Sequence, residues 1–230
     1  MLRQRIMQIA AGYEDANDSN VLRHDPIYKL VCDRLPAAEE NLLASQPTIT
    51  RLENHVDKRD NARMRNVFID QFIARYAQPP SVVVLDIDGW DAPTYGEQQL
   101  SFFHGYYGHH MYSPVLINEA TSGYPLVLQL RAGNSHPGKG VASLLRWTFW
   151  RLRRAWPGVR IILRADSGFA LPELLTLCER AQVDYVMGFR RNPVLERKMQ
   201  PLLEQARVVA CLSESGKARL FDDVYYAAAS

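Results

Sequence analysis

The chain has 230 residues, 47% hydrophobic and 23% charged, which is room for one large domain or a domain plus a smaller appendage of ordinary globular composition. A net charge of +2 neither supports nor excludes a nucleic-acid partner, and no apolar run approaches the ~18 residues that span a membrane. Cys32, Cys178 and Cys211 form no CxxC pair and no signal-like apolar segment follows Met1-Leu2-Arg3, which argues against disulfide frameworks, structural zinc and secretion and points to the cytoplasm.

Residues 1–79 read as a helical region. Ile6, Ile9 and Ala10 are spaced for one face of a first helix, which the acidic, Asn-rich run at residues 14–20 interrupts. A second helix is expected over 26–35, with Ile27, Leu30, Val31 and Arg34 at helical intervals, stopping at Pro36. Pro47-Thr48-Ile49-Thr50-Arg51-Leu52-Glu53-Asn54 offers a capping-type start to a third, without a complete helix-turn-helix pattern. A fourth covers about 62–76 through Val67, Phe68, Phe72 and Ile73, and Gln78-Pro79-Pro80 marks the boundary.

From residue 80 the pattern changes. A strand is expected over 82–88, then an irregular Gly-, Tyr- and His-rich stretch over 94–112. Strands at 111–119 and 124–131 follow, and the short Ala120-Thr121-Ser122-Gly123 link makes them an antiparallel hairpin. An amphipathic helix at 140–155, a strand at 159–165, a helix at 172–181, a strand at 184–189 and a last strand at 219–227 complete the order. Three consecutive strands followed by alternating helix and strand predict an α/β, RNase H-like mixed sheet over 80–230, preceded by the helical region. In that arrangement the first and fourth strands lie side by side, so acids at their ends converge.

Such acids are present. Val82-Val83-Val84-Leu85 is a buried-strand signal, and Asp86 and Asp88 follow it at i and i+2, on one face. Alone, the pair reads equally as a phosphatase nucleophile or as metal ligands. Asp166 ends the fourth strand ahead of a glycine turn; alone it is as much a helix cap as a ligand. Together the three carboxylates would repel one another unless a cation neutralises them. Mg²⁺, a hard ion taking carboxylates, water and phosphate oxygens, suits them, and two such ions ~3.5–4 Å apart would serve phosphodiester cleavage and strand transfer. Basic clusters at Arg146/Arg151/Arg153/Arg154, Arg190/Arg191 and Lys58/Arg59/Arg63/Arg65 read first as solvated helix faces and second as phosphate tracks. Phe102, Tyr106, Tyr107, His109 and His110 either contact DNA or pack over the sheet. His109 and His110, adjacent on a strand, point apart and do not make a zinc pair.

Residues 10–18 with 22–26, 46–54, Leu85-Asp86-Ile87-Asp88-Gly89, Pro93-Thr94-Tyr95-Gly96-Glu97-Gln98, Leu130-Arg131-Ala132-Gly133-Asn134, Arg164-Ala165-Asp166-Ser167-Gly168-Phe169 and Asp184-Tyr185-Val186-Met187-Gly188 run in one order along nearly the whole chain. In that order they resemble the DDE-type transposases of bacterial insertion sequences, specifically the group-1 DDE transposase domain. The resemblance implies an RNase H-like core that cuts element ends and joins them to target DNA with Mg²⁺, two ions in the complete site. Its partners would be the terminal inverted repeats and target DNA, with a homodimer as one assembly. The first catalytic acid falls on Asp88, with Asp86 the near alternative, and the second on Asp166. Trp90 stands where a small hydroxyl residue is expected.

The family's third acid is a glutamate on a late helix behind a β-rich insertion. Glu196 and Glu204 do not sit in its Tyr–Arg–Glu–Lys pattern, and the sequence ends at Tyr225-Tyr226-Ala227-Ala228-Ala229-Ser230. The expectation is therefore a transposase truncated before the final acid-bearing helix, with an inactive DNA-binding remnant as one alternative. The other alternative is a haloacid-dehalogenase-type phosphohydrolase, with Asp86 as nucleophile, Asp88 as general acid and Asp222-Asp223 as a late acidic pair. Against it, that fold needs a helix after the first strand, and Trp90 replaces its Thr or Val.

Overall fold

The structure is a computed structural model that describes residues 1–37 and 40–227. The chain divides into two compact units, Met1–Val67 and Phe68–Ser230.

The first unit contains α1 (Leu2–Ala10), a 3₁₀ turn at Ala16–Asp18, α2 (Ser19–Leu22), α3 (Pro26–Val31), α4 (Gln46–His55) and the first half of α5 (Lys58–Ala74). The Ile6/Ile9 face of α1 points outward, and Gln4 and Gln8 are buried instead. Hydrogen bonding explains the inversion. The Gln4 amide donates to the Ala44 carbonyl and accepts from the Ala44 N–H, both at 2.9 Å, and Gln8 exchanges bonds of 3.0 and 3.1 Å with the Ser19 hydroxyl. α3 begins where the Asp25 carboxylate accepts from the N–H groups of Ile27 and Tyr28. It ends four residues short of the expected stop, because Asp33 has already entered the left-handed region at φ 58°.

The second unit carries the sheet. Its strands are β1 (Val82–Gly89), β2 (Ala92–Pro93), β3 (Phe102–His104), β4 (His109–Tyr112), β5 (Val115–Glu119), β6 (Pro125–Gln129), β7 (Arg160–Ala165) and β8 (Asp184–Met187). Helices α6 (Val141–Ala155), α7 (Pro172–Arg180) and α8 (Pro193–Leu212) complete it. The main sheet has the order β6-β5-β1-β7-β8, antiparallel at β1–β5 and β5–β6 and parallel at β1–β7 and β7–β8. This is the RNase H-like arrangement, with the first and fourth core strands adjacent.

Alternation along β1 decides which face is buried. Val83, Leu85 and Ile87 lie in the core with Ile69 and Phe72 from the end of α5 and Leu145, Phe149 and Leu152 from α6. Each such side chain contributes roughly 1.5–3 kcal/mol of burial. Burial of Ile69 and Phe72 also explains why the two units divide within α5, upstream of Pro79-Pro80.

The β5–β6 hairpin forms as expected. The buried Glu119 carboxylate closes its turn by accepting from Thr121 N–H at 3.0 Å and from Ser122 N–H and Oγ at 2.7 Å each. Three expectations need correction. The 111–119 strand is cut at Ser113-Pro114, because proline has no N–H to continue a ladder; its first part becomes β4. The stretch expected to be irregular instead forms a second sheet of order β2-β4-β3. Residues 219–227 form no strand, whereas the unanticipated α8 runs through Pro201.

Candidate active site

The site begins with strand register. β1 and β7 pair in parallel from Val82↔Arg160 to Ile87↔Ala165. One step further, Asp88 and Asp166 leave the ends of neighbouring strands, which lie ~4.8 Å apart in a sheet. Two steps back, Asp86 lies opposite Arg164, whose Nε and Nη2 donate to the two carboxylate oxygens at 2.6 Å each. The pairing raises the Arg164 pKa, chiefly through the hydrogen bonds with Asp86. The three aspartates named from the sequence thus have different surroundings. Asp86 is held in a bidentate ion pair, whereas Asp88 and Asp166 are exposed.

Each free aspartate is oriented by its own turn. Asp88 Oδ1 accepts from Gly89 N–H at 2.7 Å, and Asp166 Oδ1 accepts from Gly168 N–H at 2.8 Å. Gly188, just past β8, lies against the Asp166 turn: a Cβ there would stand 3.0 Å from Ser167 N and 3.4 Å from Asp166 C. Only a residue without a side chain lets β8 support the second aspartate so closely.

Asp166 opens on a cavity of about 480 Å³. Trp90, His104, Tyr106 and Tyr107 form one wall, and Arg131, His136 and Phe169 line another part. Tyr107 packs near His104 and Tyr106, with ring centroids 5.0 Å away in each case. His109 Nε2 lies 3.1 Å from Asp91 Oδ2, off the hydrogen-bonding direction. His109 and His110 follow one another along β4, and among the described residues no group of three or more His, Cys, Asp or Glu assembles to hold a metal ion.

Arg131 is the cavity residue that reasoning from the strands missed, although its Leu130–Asn134 motif carried the signal. Burial pushes its pKa down, and no carboxylate pairs with it among the described residues. Its guanidinium donates to the carbonyls of Ser113 at 2.8 Å and Pro137 at 2.6 Å, and to Ser113 Oγ at 3.2 Å. It thereby ties the start of β5 to the loop beside Asp166. Nη2 comes within 3.8 Å of the position a Cβ on Gly89 would take.

Other candidate acids lie elsewhere. Glu196, in the first turn of α8, faces a separate hollow with Phe189 and Phe221, and Glu204 accepts from Gln200 on the same helix. Asp222 and Asp223 are exposed in the segment after α8, off the sheet. The phosphohydrolase alternative is not supported: β1 runs into strands rather than a helix, and its would-be nucleophile is the aspartate engaged by Arg164.

Two carboxylates on adjacent strand ends, each with one oxygen turned to its own backbone, suit a hard divalent cation. The family model described as transposase DDE domain, group 1, matches residues 1–230. Among solved structures, a piggyBac transposase in a synaptic complex with hairpin DNA is 14% identical, with a TM-score of 0.38. That match covers 90% of this chain, which spans 50% of the transposase chain. No curated relative matches.

Proposed function

The chain belongs to group 1 of the DDE transposase domains, and we propose on that footing that its β1/β7 end acts on DNA phosphodiesters, cutting element ends and joining them to target DNA. The observation that carries the reading is the parallel β1–β7 register, which brings Asp88 and Asp166 to neighbouring strand ends while Arg164 engages Asp86.

In this reading Asp88 and Asp166 hold a divalent cation, Mg²⁺ being the natural ion, and Asp86 does not. Bound there, the cation would sharpen a water or 3′-hydroxyl nucleophile and neutralise the leaving oxygen. The protein's own groups do the rest. Asp86–Arg164 pins β1 to β7 one turn of the pleat below the two ligands, fixing their separation. Arg131 fixes the loop beneath Asp166, and Trp90, Tyr106 and Tyr107 line the cavity with aromatic surface. The proposed partners are terminal inverted repeats and target DNA in the cytoplasm; among the described residues no helix is long and apolar enough to cross a membrane.

The test has a binding arm and a cleavage arm. Asp88→Asn and Asp166→Asn should each weaken Mg²⁺ or Mn²⁺ binding by calorimetry and abolish metal-dependent nicking of duplex DNA carrying the element ends. Asp86→Asn should keep the ion. Loss of ion binding in Asp86→Asn with retention in Asp88→Asn would overturn the assignment, as would turnover of a small phosphomonoester that depends on Asp86.

A further inference from the structure

The arginines of α6 remain unexplained by that site. The helix carries Arg146, Arg151, Arg153 and Arg154 and no carboxylate. Two of these are committed: Arg151 pairs with Asp70, and Arg153 donates to the carbonyls of Ala181 and Gln182. Arg146 and Arg154, together with Arg180 at the end of α7, are exposed and form no ion pair among the described residues.

Their placement makes a groove. Positions 146, 150, 153 and 154 share one face of α6. Between α6 and α7 lie two hollows of about 530 and 500 Å³, which meet at Arg146 and Ala181. Arg146, Arg153, Arg154 and Arg180 line them, with Glu173 as the one acid among the described residues. Trp150 forms part of the wall. It stacks on Trp147 at 4.8 Å and 26°, and the Arg154 guanidinium lies 5.2 Å over its ring. Both tryptophans remain nearly half exposed, at 42% and 46%.

The groove starts beside the catalytic end and runs away from it: Pro172 and Glu173, which line it, open α7 directly after the Asp166 turn. α6 leads into the beginning of β7, whereas Asp166 follows its end, and β7 is six residues long. At ~3.3 Å per residue the Arg154 end of the groove therefore lies about 20 Å from Asp166 along the sheet.

We propose that this α6–α7 groove is a second docking surface for duplex DNA, gripping the phosphate backbone as it runs on from Asp88 and Asp166 toward the far ends of the two helices. The inference rests on the reading that those aspartates act on DNA. Charge selects the class of partner: free guanidiniums facing one carboxylate fit a polyanion. The aromatic geometry selects duplex over single strand. The tryptophan faces are taken up by each other and by Arg151 and Arg154, so they do not offer the open rings on which unpaired bases stack. They stiffen Arg154 for phosphate instead.

The experiment measures binding of a duplex of about 30 base pairs, of arbitrary sequence, across a salt series. Arg146→Glu/Arg154→Glu/Arg180→Glu should weaken affinity at least about tenfold and lower the salt slope by about 3, near 0.9 per lost phosphate contact. Its thermal melt should match wild type, since all three side chains are exposed. An equal charge change on the α8 side, Arg197→Glu/Arg207→Glu/Arg219→Glu, should leave the slope unchanged. Equal losses in both triple variants, or wild-type Kd and slope in the groove variant, overturn the groove even if that variant loses binding to an acidic peptide. In either case nicking that depends on Asp88 would still stand. A wild-type chain that binds no duplex overturns the groove and the underlying reading together.

Discussion

Replacing Arg131 by methionine tests whether a half-buried cation without a carboxylate partner holds the site together. The change keeps most of the side-chain length and removes the fork. Two short charge-assisted bonds disappear, to the carbonyls of Ser113 at 2.8 Å and Pro137 at 2.6 Å, with a longer one to Ser113 Oγ. Bonds from a charged group contribute about 1.5–3 kcal/mol each, and relief of the guanidinium's burial offsets part of the loss. The net expectation is about 3 kcal/mol, a Tm lower by roughly 6–12 °C for a unit of this size. Arg131→Lys should recover less than half, because an ammonium cannot span both carbonyls. Calorimetric or circular-dichroism melts at neutral pH read both variants, and nicking should fall with stability as the loop beside Asp166 loosens. A methionine variant melting within about 2 °C of wild type, the range of an ordinary surface change, would refute the reasoning.

Three further outcomes follow from the same structure. Burial pushes the Glu119 carboxyl up, but the hydrogen bonds from Ser122 and Thr121 together outweigh it and hold its pKa below the ordinary value. Its stabilisation is therefore full above the unfolded pKa of ~4.3 and lost as pH falls through the folded one. Urea midpoints should show Glu119→Gln less stable by about 1–2 kcal/mol at pH 7, with the gap closing in acid; a gap that widens would contradict the sign. Gly133→Ala should destabilise the unit by at least about 2 kcal/mol in the same urea titration, since its Cβ would fall 2.0 Å from the Met111 carbonyl oxygen and the backbone must move. Burial raises the Cys178 thiol pKa to about 11, so a disulfide reagent at pH 8 should label exposed Cys211 quickly and Cys178 only on unfolding.

What was legible in the sequence was local or periodic. The Val82–Asp88 strand, the Ala120–Gly123 hairpin link and the strand preceding Asp166 each carry their signal within a few residues, and their order implies which strands become neighbours. What escaped depends on partners distant in sequence. Asp86 and Asp88 look equivalent until parallel register sets Arg164 opposite one of them. α8 was hidden because Pro201 reads as a helix breaker, although the Asn192 side chain caps its start by accepting from Val194 and Leu195 N–H. The 219–227 segment has strand-like side chains but no strand beside it, and β propensity without a pairing partner does not make a sheet.

The buried glutamines of α1 have a thermodynamic consequence. In the first unit the buried apolar side chains among the described residues are Leu22, Leu43 and Ile49, and they share the interior with Gln4, Gln8, Ser19 and Lys29. Heat capacity of unfolding rises with apolar exposure and falls with polar exposure. Melting this unit should therefore carry a heat-capacity increment per residue below the usual ~12–15 cal/mol/K, and a stability curve flatter with temperature than that of the sheet. Its architecture is specified by amide pairing more than by oil, and such a fold is comparatively indifferent to cold.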